Sequence, residues 1–312
     1  MLARTSGNMP APAALDVVYT WVDMNWPGYL DECRRYHTQP AHLNPERYRD
    51  HYGLLRYSLR SLERYFPCVR NVYLLTARPQ VPAWLRRDHP QLRVVHHDEV
   101  IEARHLPTFN SNTIESHLHL LPGLSDQFLY LNDDFLFGRA TDLADFSAPD
   151  GRIKLMGSWF GEPLPFRVYE EKWDLFSFGR LEHTPILIDR PLWAEMLASR
   201  PAEVEATRQR KFRRDDDLRV DKLYRQFLLA RHRDRIVVEP SWRLLRYHTF
   251  HKIENGLARQ QRAFARLRRH PPKFYCLNDD QRNEPDPHVA ALVRTFLEEQ
   301  YPTPSSFEQP VG

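Results

Sequence analysis

Short apolar runs alternate with amphipathic segments through the first half of the chain, and this alternation constrains the fold more than any other feature. Residues 16–23 read Asp-Val-Val-Tyr-Thr-Trp-Val-Asp, a β-branched and aromatic run that is typical of a buried strand. The further elements predicted in this half are strands at residues 71–76, 92–96 and 127–131 and helices at residues 45–66 and 112–122. This order of strands and helices predicts an α/β sheet with helices on both faces.

The second half is less regular, and it predicts a helical insertion at about residues 190–235 within a single domain of residues 15–300. The elements predicted there are strands at residues 152–156, 186–188, 236–239 and 274–277 and helices at residues 191–198, 218–232 and 286–300. The Ala/Pro-rich residues 1–14 predict a disordered lead-in, and the Pro/Ser-rich residues 301–312 predict a flexible tail.

Composition narrows the class of protein without selecting one. The chain has 312 residues, 42% of them hydrophobic, which is enough for a substantial core. The net charge of +3 is a mild basic bias that suits sugar phosphates and nucleic acids equally. Cys33, Cys68 and Cys276 are too far apart for a disulfide framework or a structural zinc cluster, which favours a reducing compartment. No apolar run approaches the roughly 20 residues that span a membrane, so we expect a cytoplasmic protein.

The strand predicted at residues 127–131 runs directly into Asn132-Asp133-Asp134. Open α/β sheets bind ligands at the carboxyl ends of their strands, and Mg²⁺ and Mn²⁺ prefer carboxylate oxygens together with substrate phosphates. Asn and Asp are also good turn formers, so a simple turn after the strand is the alternative. The apolar residues 135–137 favour a site, because carboxylates between two apolar runs are costly to bury without a partner.

The same pattern recurs near the end of the chain, where the strand predicted at residues 274–277 runs into Asn278-Asp279-Asp280. Two such strand ends could converge on one metal–diphosphate site. Asp23, which ends the first predicted strand, either contacts the nucleotide or metal from a neighbouring strand or is an exposed acid in a loop.

Two further segments carry candidate catalytic groups. His183 titrates near neutral pH and could act as a general base, although a lone His is more often structural. Within the charged run of residues 211–217, Arg213 could grip a phosphate with its guanidinium, and the alternative is a solvated loop. The three acids of this run offset its basic residues, which argues against a track for a nucleic-acid backbone.

Taken together, these segments resemble the Stealth family of sugar-phosphate transferases, whose four blocks are matched in order. The blocks are residues 16–23; residues 55–63, 94–98, 106–111, 114–115 and 130–134; residues 183–185, 211–213 and Asp217; and residues 274–279. The family includes bacterial capsule and exopolysaccharide phosphotransferases and the catalytic subunit of eukaryotic N-acetylglucosamine-1-phosphotransferase. Two positions depart from its pattern, because Met24 replaces a usual Gly and the usual Arg-Phe-Arg-Ser reads Lys-Phe-Arg-Arg at residues 211–214.

The resemblance implies a nucleotide-binding sheet similar to the glycosyltransferase A type, with Mg²⁺ or Mn²⁺ as cofactor. It implies transfer of hexose-1-phosphate, often N-acetylhexosamine-1-phosphate, from a UDP-sugar donor to a hydroxyl of a saccharide acceptor with release of UMP. The biological setting it implies is exopolysaccharide or capsule synthesis. We expect no nucleic-acid partner, and peripheral association with a polysaccharide assembly system is compatible with the sequence. The alternatives are a conventional UDP-releasing glycosyltransferase, a metal-dependent phosphohydrolase and a non-catalytic sugar-binding protein.

The resemblance also gives the candidate residues their roles. His183 is the expected base, Arg213 the phosphate clamp, and Asp23 a group that orients the base or touches the nucleotide. The predicted metal ligands are Asp133, Asp134 and Asp279. The predicted substrate-binding residues are Asn110, Ser111, Asn132, Asp217 and Asn278.

Overall fold

The computed structural model describes residues 14–37, 50–158, 183–240, 247–281 and 285–310. The strands of this part of the chain are β1 (Leu15–Trp21), β2 (Val69–Thr76), β3 (Leu92–His96), β4 (Gln127–Asn132), β5 (Phe135–Phe137), β6 (Ile153–Ser158), β7 (Ile186–Asp189), β8 (Ile236–Pro240), β9 (His248–Ile253) and β10 (Phe274–Asp279). Its helices are α1 (Tyr29–Arg35), α2 (Leu54–Tyr65), α3 (His97–Val100), α4 (Ser111–Glu115), α5 (Arg190–Ala198), α6 (Pro201–Gln209), α7 (Val220–Arg231), α8 (Leu257–Arg269) and α9 (Pro287–Gln300). The lead-in predicted at residues 1–14 lies outside the described residues except for Ala14.

A five-stranded sheet of order β3-β2-β1-β4-β7 forms the centre of the fold. Strands β1 to β4 are parallel, and β7 is antiparallel to β4. Val17, Val18 and Tyr19 of β1 are completely buried. The middle of this central strand is therefore apolar at successive residues, as expected for a parallel strand covered on both faces. The prediction of an α/β fold with a mostly parallel central sheet is confirmed.

A second sheet, of order β5-β10-β9, brings the two acidic strand ends next to each other. Strand β5 begins directly after Asp134 and pairs antiparallel with β10, so that Phe135 lies opposite Cys276. The backbone N–H of Leu277 extends this ladder by donating to the carbonyl oxygen of Asp134 at 3.0 Å. A separate two-stranded parallel sheet pairs β6 with β8.

Two predicted helices in the first half are shorter than expected. Helix α2 begins at Leu54, because Gly53 adopts a left-handed conformation with φ of +64° and Asp50 Oδ1 accepts the Leu54 N–H at 2.8 Å. The predicted residues 45–49 lie outside the described part of the chain. Helix α4 begins at Ser111 with Asn110 as its N-cap and ends at Glu115, whereas the prediction extended to residue 122.

The region predicted as a helical insertion contains α5, α6 and α7, of which α6 is absent from the sequence prediction. Strand β9 and helix α8 are also missing from the prediction. Both have weak apolar patterns, since β9 reads His-Thr-Phe-His-Lys-Ile and α8 buries only Gln260, Phe264 and Leu267 among many arginines. No helix among the described residues is both long enough and apolar enough to cross a lipid bilayer.

Residues 301–310 of the tail predicted to be flexible pack against the rest of the chain in this structure. Tyr301, Phe307 and Glu308 are buried. The Glu308 carboxylate is ion-paired with Arg60 at 2.6 Å and with Arg56. Pro and Ser content indicates a lack of helix and strand here, but it does not report how many contacts an irregular segment makes.

Candidate active site

The site lies at the carboxyl edge of the central sheet, where β1 and β4 end side by side. Thr20 of β1 pairs in register with Asn132 of β4. The residues that follow these two strands, Asp23 on one side and Asp133 and Asp134 on the other, are therefore delivered to the same edge. Asp23 is held by its backbone, because its N–H donates to Gln80 Oε1 at 2.7 Å.

Four carboxylates form an acidic cluster at this edge. Burial and the charges of Asp134 and Asp50 raise the pKa of Asp133 well above its ordinary value. Burial raises the pKa of Asp50 to about 6, with the charge of Asp23 adding to the effect of burial. Like charges this close favour the arrival of a cation.

Asp50 is a member of this cluster that the sequence prediction missed. The apolar spacing of residues 45–66 predicts that Asp50 lies inside a helix, whereas Asp50 precedes Gly53 and caps α2. The Asp-x-x-Gly spacing before an apolar helical run is the signal that could have placed a carboxylate at this helix start.

Asp134 meets two side chains from distant parts of the sequence. Its Oδ2 accepts a hydrogen bond from the Cys276 thiol at 3.0 Å. One ligand atom each of Asp134, His183 and Cys276 lie within 4.8 Å of one another. Asp134 Oδ1 is buried and has no hydrogen-bond partner among the described residues. Burial and the charge of Asp134 raise the pKa of the Cys276 thiol well above its ordinary value, so the thiol keeps its proton.

His183 lies just before β7, over the row formed by Phe135, Cys276 and Phe250 on neighbouring strands. Its ring centroid is 4.8 Å from that of Phe135 and 5.9 Å from that of Phe250. Burial lowers the pKa of His183 despite the nearby charge of Asp134, so the imidazole is neutral near pH 7. Phe250 is 40% exposed, which leaves an open aromatic surface beside the imidazole.

Arg213 is positioned by a contact between two loops. The rings of Phe109 and Phe212 stack with centroids 5.2 Å apart, and the Phe109 N–H donates to the Lys211 carbonyl at 2.8 Å. In this arrangement the Arg213 guanidinium donates to the Ser111 hydroxyl. The roles predicted for these two residues, Ser111 in substrate binding and Arg213 as the phosphate clamp, stay predictions.

Asn110 and Asp217 support this loop contact from inside the protein. Both are buried, and Asn110 Nδ2 donates to Asp217 Oδ2 at 2.8 Å. Asp217 also accepts from Arg210 Nη1 at 2.7 Å and from the Arg214 N–H at 2.8 Å. Their polar atoms hold the loops together in this structure, and direct substrate binding by these two side chains stays a prediction.

Glu115 is a buried acid near Arg213 that the prediction included in a motif but gave no role. Its carboxylate accepts from the Tyr130 hydroxyl at 3.2 Å. Burial and the charge of Asp221 raise the pKa of Glu115 to about 7, although the charges of Arg213 and Arg219 favour the ionised form. The charges of Asp221 and Arg219 act on His183 as well as on Glu115, so these two charged residues lie close to both side chains.

Replacing Glu115 with Gln is expected to stabilise the protein at pH 8 but not at pH 5. The folded state holds the Glu115 proton up to about pH 7, whereas the unfolded chain loses it near pH 4.5. Stability therefore falls as pH rises from 4.5 to 7, and Gln removes this penalty of about 1–3 kcal/mol. Thermal unfolding midpoints at both pH values measure the effect. The exposed Glu298→Gln on α9 is the control, and an equal gain at both pH values would contradict the prediction.

The remaining predicted residues, Asn132, Asn278 and Asp279, lie at the carboxyl ends of β4 and β10. Asn132 and Asn278 are partly buried at the ends of β4 and β10. Asp279 lies one residue beyond Asn278, and side chains alternate along a strand, so it faces away from Cys276. Its Oδ1 accepts the Gln281 N–H at 3.1 Å, and its charge acts on buried Tyr52. The metal site proposed below therefore does not include Asp279.

A divalent cation fits the acidic cluster. The pKa of Asp133 is raised, and Asp134 Oδ1 is buried without a hydrogen-bond partner, so within the described part of the chain these carboxylates lack a compensating positive charge. Oxygen ligands of this type suit Mg²⁺ and Mn²⁺. Bound to Asp133 and Asp134, such an ion would neutralise charge on substrate phosphate oxygens.

These features define an α/β protein with an acidic sheet edge, a neutral imidazole and a nearby arginine. The chain belongs to the Stealth family. It matches Stealth protein conserved region 2 over residues 47–155, conserved region 3 over residues 182–230 and conserved region 4 over residues 265–312.

Similar curated proteins carry phosphotransferase names. An exopolysaccharide phosphotransferase of Streptomyces coelicolor is 35% identical over 95% of this chain and 51% of its own length. The capsular polysaccharide phosphotransferase SacB of Neisseria meningitidis serogroup A is 29% identical over 95% of this chain and 57% of its own length. The chain thus spans about half the length of the curated relatives it matches.

Similar solved structures are glycosyltransferases. The galactosyltransferase LgtC, in complex with donor and acceptor sugar analogues, aligns with 94% of this chain and 98% of its own, at 14% identity and a TM-score of 0.46. The bifunctional glycosyltransferase WbbM aligns with 95% of this chain and 53% of its own, at 11% identity and a TM-score of 0.46. Sequence identities and TM-scores this low do not indicate which reaction this chain catalyses.

Proposed function

We propose that the protein transfers hexose-1-phosphate, with N-acetylhexosamine as the sugar, from a UDP-sugar to a hydroxyl of a saccharide acceptor and releases UMP. The proposal rests mainly on one observation: Asp134 lies close to the neutral imidazole of His183, beside the acidic cluster. The phosphotransferase names of the relatives give the reaction class. Exopolysaccharide or capsule synthesis in the cytoplasm, with peripheral association with an assembly system, is the setting of this proposal.

In the proposed reaction, the acceptor oxygen forms a bond to the β-phosphorus of the donor as the bond from that phosphorus to UMP breaks. Asp133 and Asp134 would hold Mg²⁺ or Mn²⁺, and the ion would supply positive charge to stabilise the diphosphate and the leaving UMP. His183 accepts the proton of the acceptor hydroxyl, because its lowered pKa leaves the ring nitrogen free to bind it.

The cationic side of the site binds the phosphate of the donor. Arg213, aligned by Ser111, donates to the phosphoryl oxygens of the donor. The exposed face of Phe250 beside His183 suits the apolar face of an acceptor sugar ring. This arrangement supports an acceptor hydroxyl close to the base.

The test is to identify the nucleotide product. The protein is incubated with Mg²⁺, a panel of UDP-sugars and saccharide acceptors, and the nucleotides are analysed by mass. We expect UMP in amounts equal to the phosphodiester product. Release of UDP with a sugar–oxygen bond to the acceptor would instead establish a conventional glycosyltransferase. UMP released equally fast without acceptor would establish a phosphohydrolase.

A further inference from the structure

The cluster of Asp134, His183 and Cys276 has a donor set that differs from that of a magnesium site. It offers one carboxylate oxygen, one imidazole nitrogen and one sulfur, all within 4.8 Å of one another. Mg²⁺ and Mn²⁺ prefer oxygen, whereas sulfur and imidazole are ligands of softer cations such as Zn²⁺. The inference rests on the proposed function only for the roles of Asp134 and His183.

The three ligand atoms are close enough to reach a single ion. Zinc binds sulfur at about 2.3 Å and nitrogen or oxygen at about 2.0–2.2 Å, so its ligand atoms lie about 3–4 Å apart. The hydrogen bond from Cys276 Sγ to Asp134 Oδ2 already spans only 3.0 Å. Small side-chain rotations therefore suffice to bring the three atoms to tetrahedral positions, with the fourth position left for water or substrate.

The negative charge beside these three side chains favours the binding of a cation. The protonation of His183 and Cys276 sets how many protons are released when the cation binds. The charge of Asp133 lies next to that of Asp134. His183 enters as a neutral ligand and releases no proton. The Cys276 S–H bond breaks as a sulfur–metal bond forms, and one proton leaves to solvent for each ion bound.

We propose that Asp134, His183 and Cys276 form an inhibitory site for a soft divalent cation of the Zn²⁺ type. An ion held there takes a carboxylate from the Mg²⁺ or Mn²⁺ site. It also occupies the imidazole nitrogen that would accept the proton of the acceptor hydroxyl. Zn²⁺ therefore inhibits the enzyme in competition with Mg²⁺.

The direct test uses Co²⁺ as a spectroscopic probe of the metal-free protein. A thiolate bound to Co²⁺ gives a near-ultraviolet charge-transfer band, and one equivalent of Zn²⁺ should remove it. We expect the band in the parent protein and in Cys68→Ser, which changes another buried cysteine. We expect its loss in Cys276→Ser and a weakened, shifted band in His183→Gln. Circular dichroism shows whether each variant is folded, and Cys276→Ala replaces Cys276→Ser if the latter is not.

Inhibition supplies a second readout. The Zn²⁺ concentration that halves activity, measured relative to each variant's own activity with Mg²⁺, should rise about tenfold or more in Cys276→Ser and stay unchanged in Cys68→Ser. A parent protein without the cobalt band, or a band retained in folded Cys276→Ser, would overturn the inference even if UMP is released. Because the band needs no substrate, it tests the site even if the proposed transfer reaction is not found.

Discussion

Replacing Asp134 with Asn should lower kcat/KM by about 1000-fold or more, which corresponds to about 4 kcal/mol of transition-state stabilisation. Asp134 belongs to the acidic cluster, adjoins His183 and has one carboxylate oxygen with no hydrogen-bond partner among the described residues. Asn retains the shape and can still accept the Cys276 hydrogen bond, but it removes the negative charge that would hold the cation. Steady-state kinetics at saturating Mg²⁺ measure the loss.

The same substitution should leave the fold at least as stable in the absence of metal, because it relieves repulsion with Asp133. Asp126→Asn is the matched control, since Asp126 precedes the same strand at its opposite end and its side chain is 77% exposed. We expect the control to keep its activity. Near-normal turnover by Asp134→Asn, with a normal unfolding midpoint, would remove Asp134 from the proposed mechanism.

Replacing Glu308 with Ala should lower the free energy of unfolding by about 2–4 kcal/mol. The Glu308 side chain is 1% exposed and accepts from Arg60 Nε at 2.6 Å and from the Ser305 N–H at 2.8 Å. Removing it leaves Arg60, whose side chain is 9% exposed, as a buried charge without its carboxylate. Denaturant unfolding measures the loss. The exposed pair of Arg86 and Asp88 provides the control, and Asp88→Ala should change stability by less than about 0.5 kcal/mol.

The effect of Glu308 should also depend on pH. Burial alone would raise the pKa of Glu308, but hydrogen bonds from Arg60, Ser305 and Arg56 lower it to about 2. The ionised group therefore stabilises the fold above the unfolded-state pKa near 4.5, and this contribution is lost as pH falls towards 2. The difference between the parent and Glu308→Gln should shrink below pH 4. A difference that is the same at pH 7 and pH 3 would show that shape, not charge, matters at this position.

The parallel core and the first acidic strand end were predictable because their signals are local. A fully buried strand such as β1 must be apolar at successive residues, and acids directly after such a run must lie at the sheet edge. The local sequence left His183 and Arg213 as candidates with structural alternatives, and the motif resemblance gave them their predicted roles. Their neighbours in space are supplied by segments at least 49 residues away, such as Asp134 and Ser111.

The features that were missed depend on tertiary contacts. Asp50 joins the cluster only because α2 starts later than its apolar spacing suggests. Cys276 reaches Asp134 only because β10 pairs with β5. The sequence of either strand alone does not indicate that the two strands pair, or in which antiparallel register. Asp279 looked equivalent to Asp133 in sequence, but strand alternation turns it away from the cysteine.

The pairing of β5 with β10 has a consequence for how the chain folds. Phe135, Leu136 and Phe137 are all buried, yet the strand that covers their edge begins only at Phe274. During synthesis, β5 therefore presents an unpaired apolar edge while more than 130 further residues are added, which is a hazard for association with other chains. The carboxylates of Asp133 and Asp134 directly precede this edge, and charges placed beside an apolar strand disfavour its association with other strands.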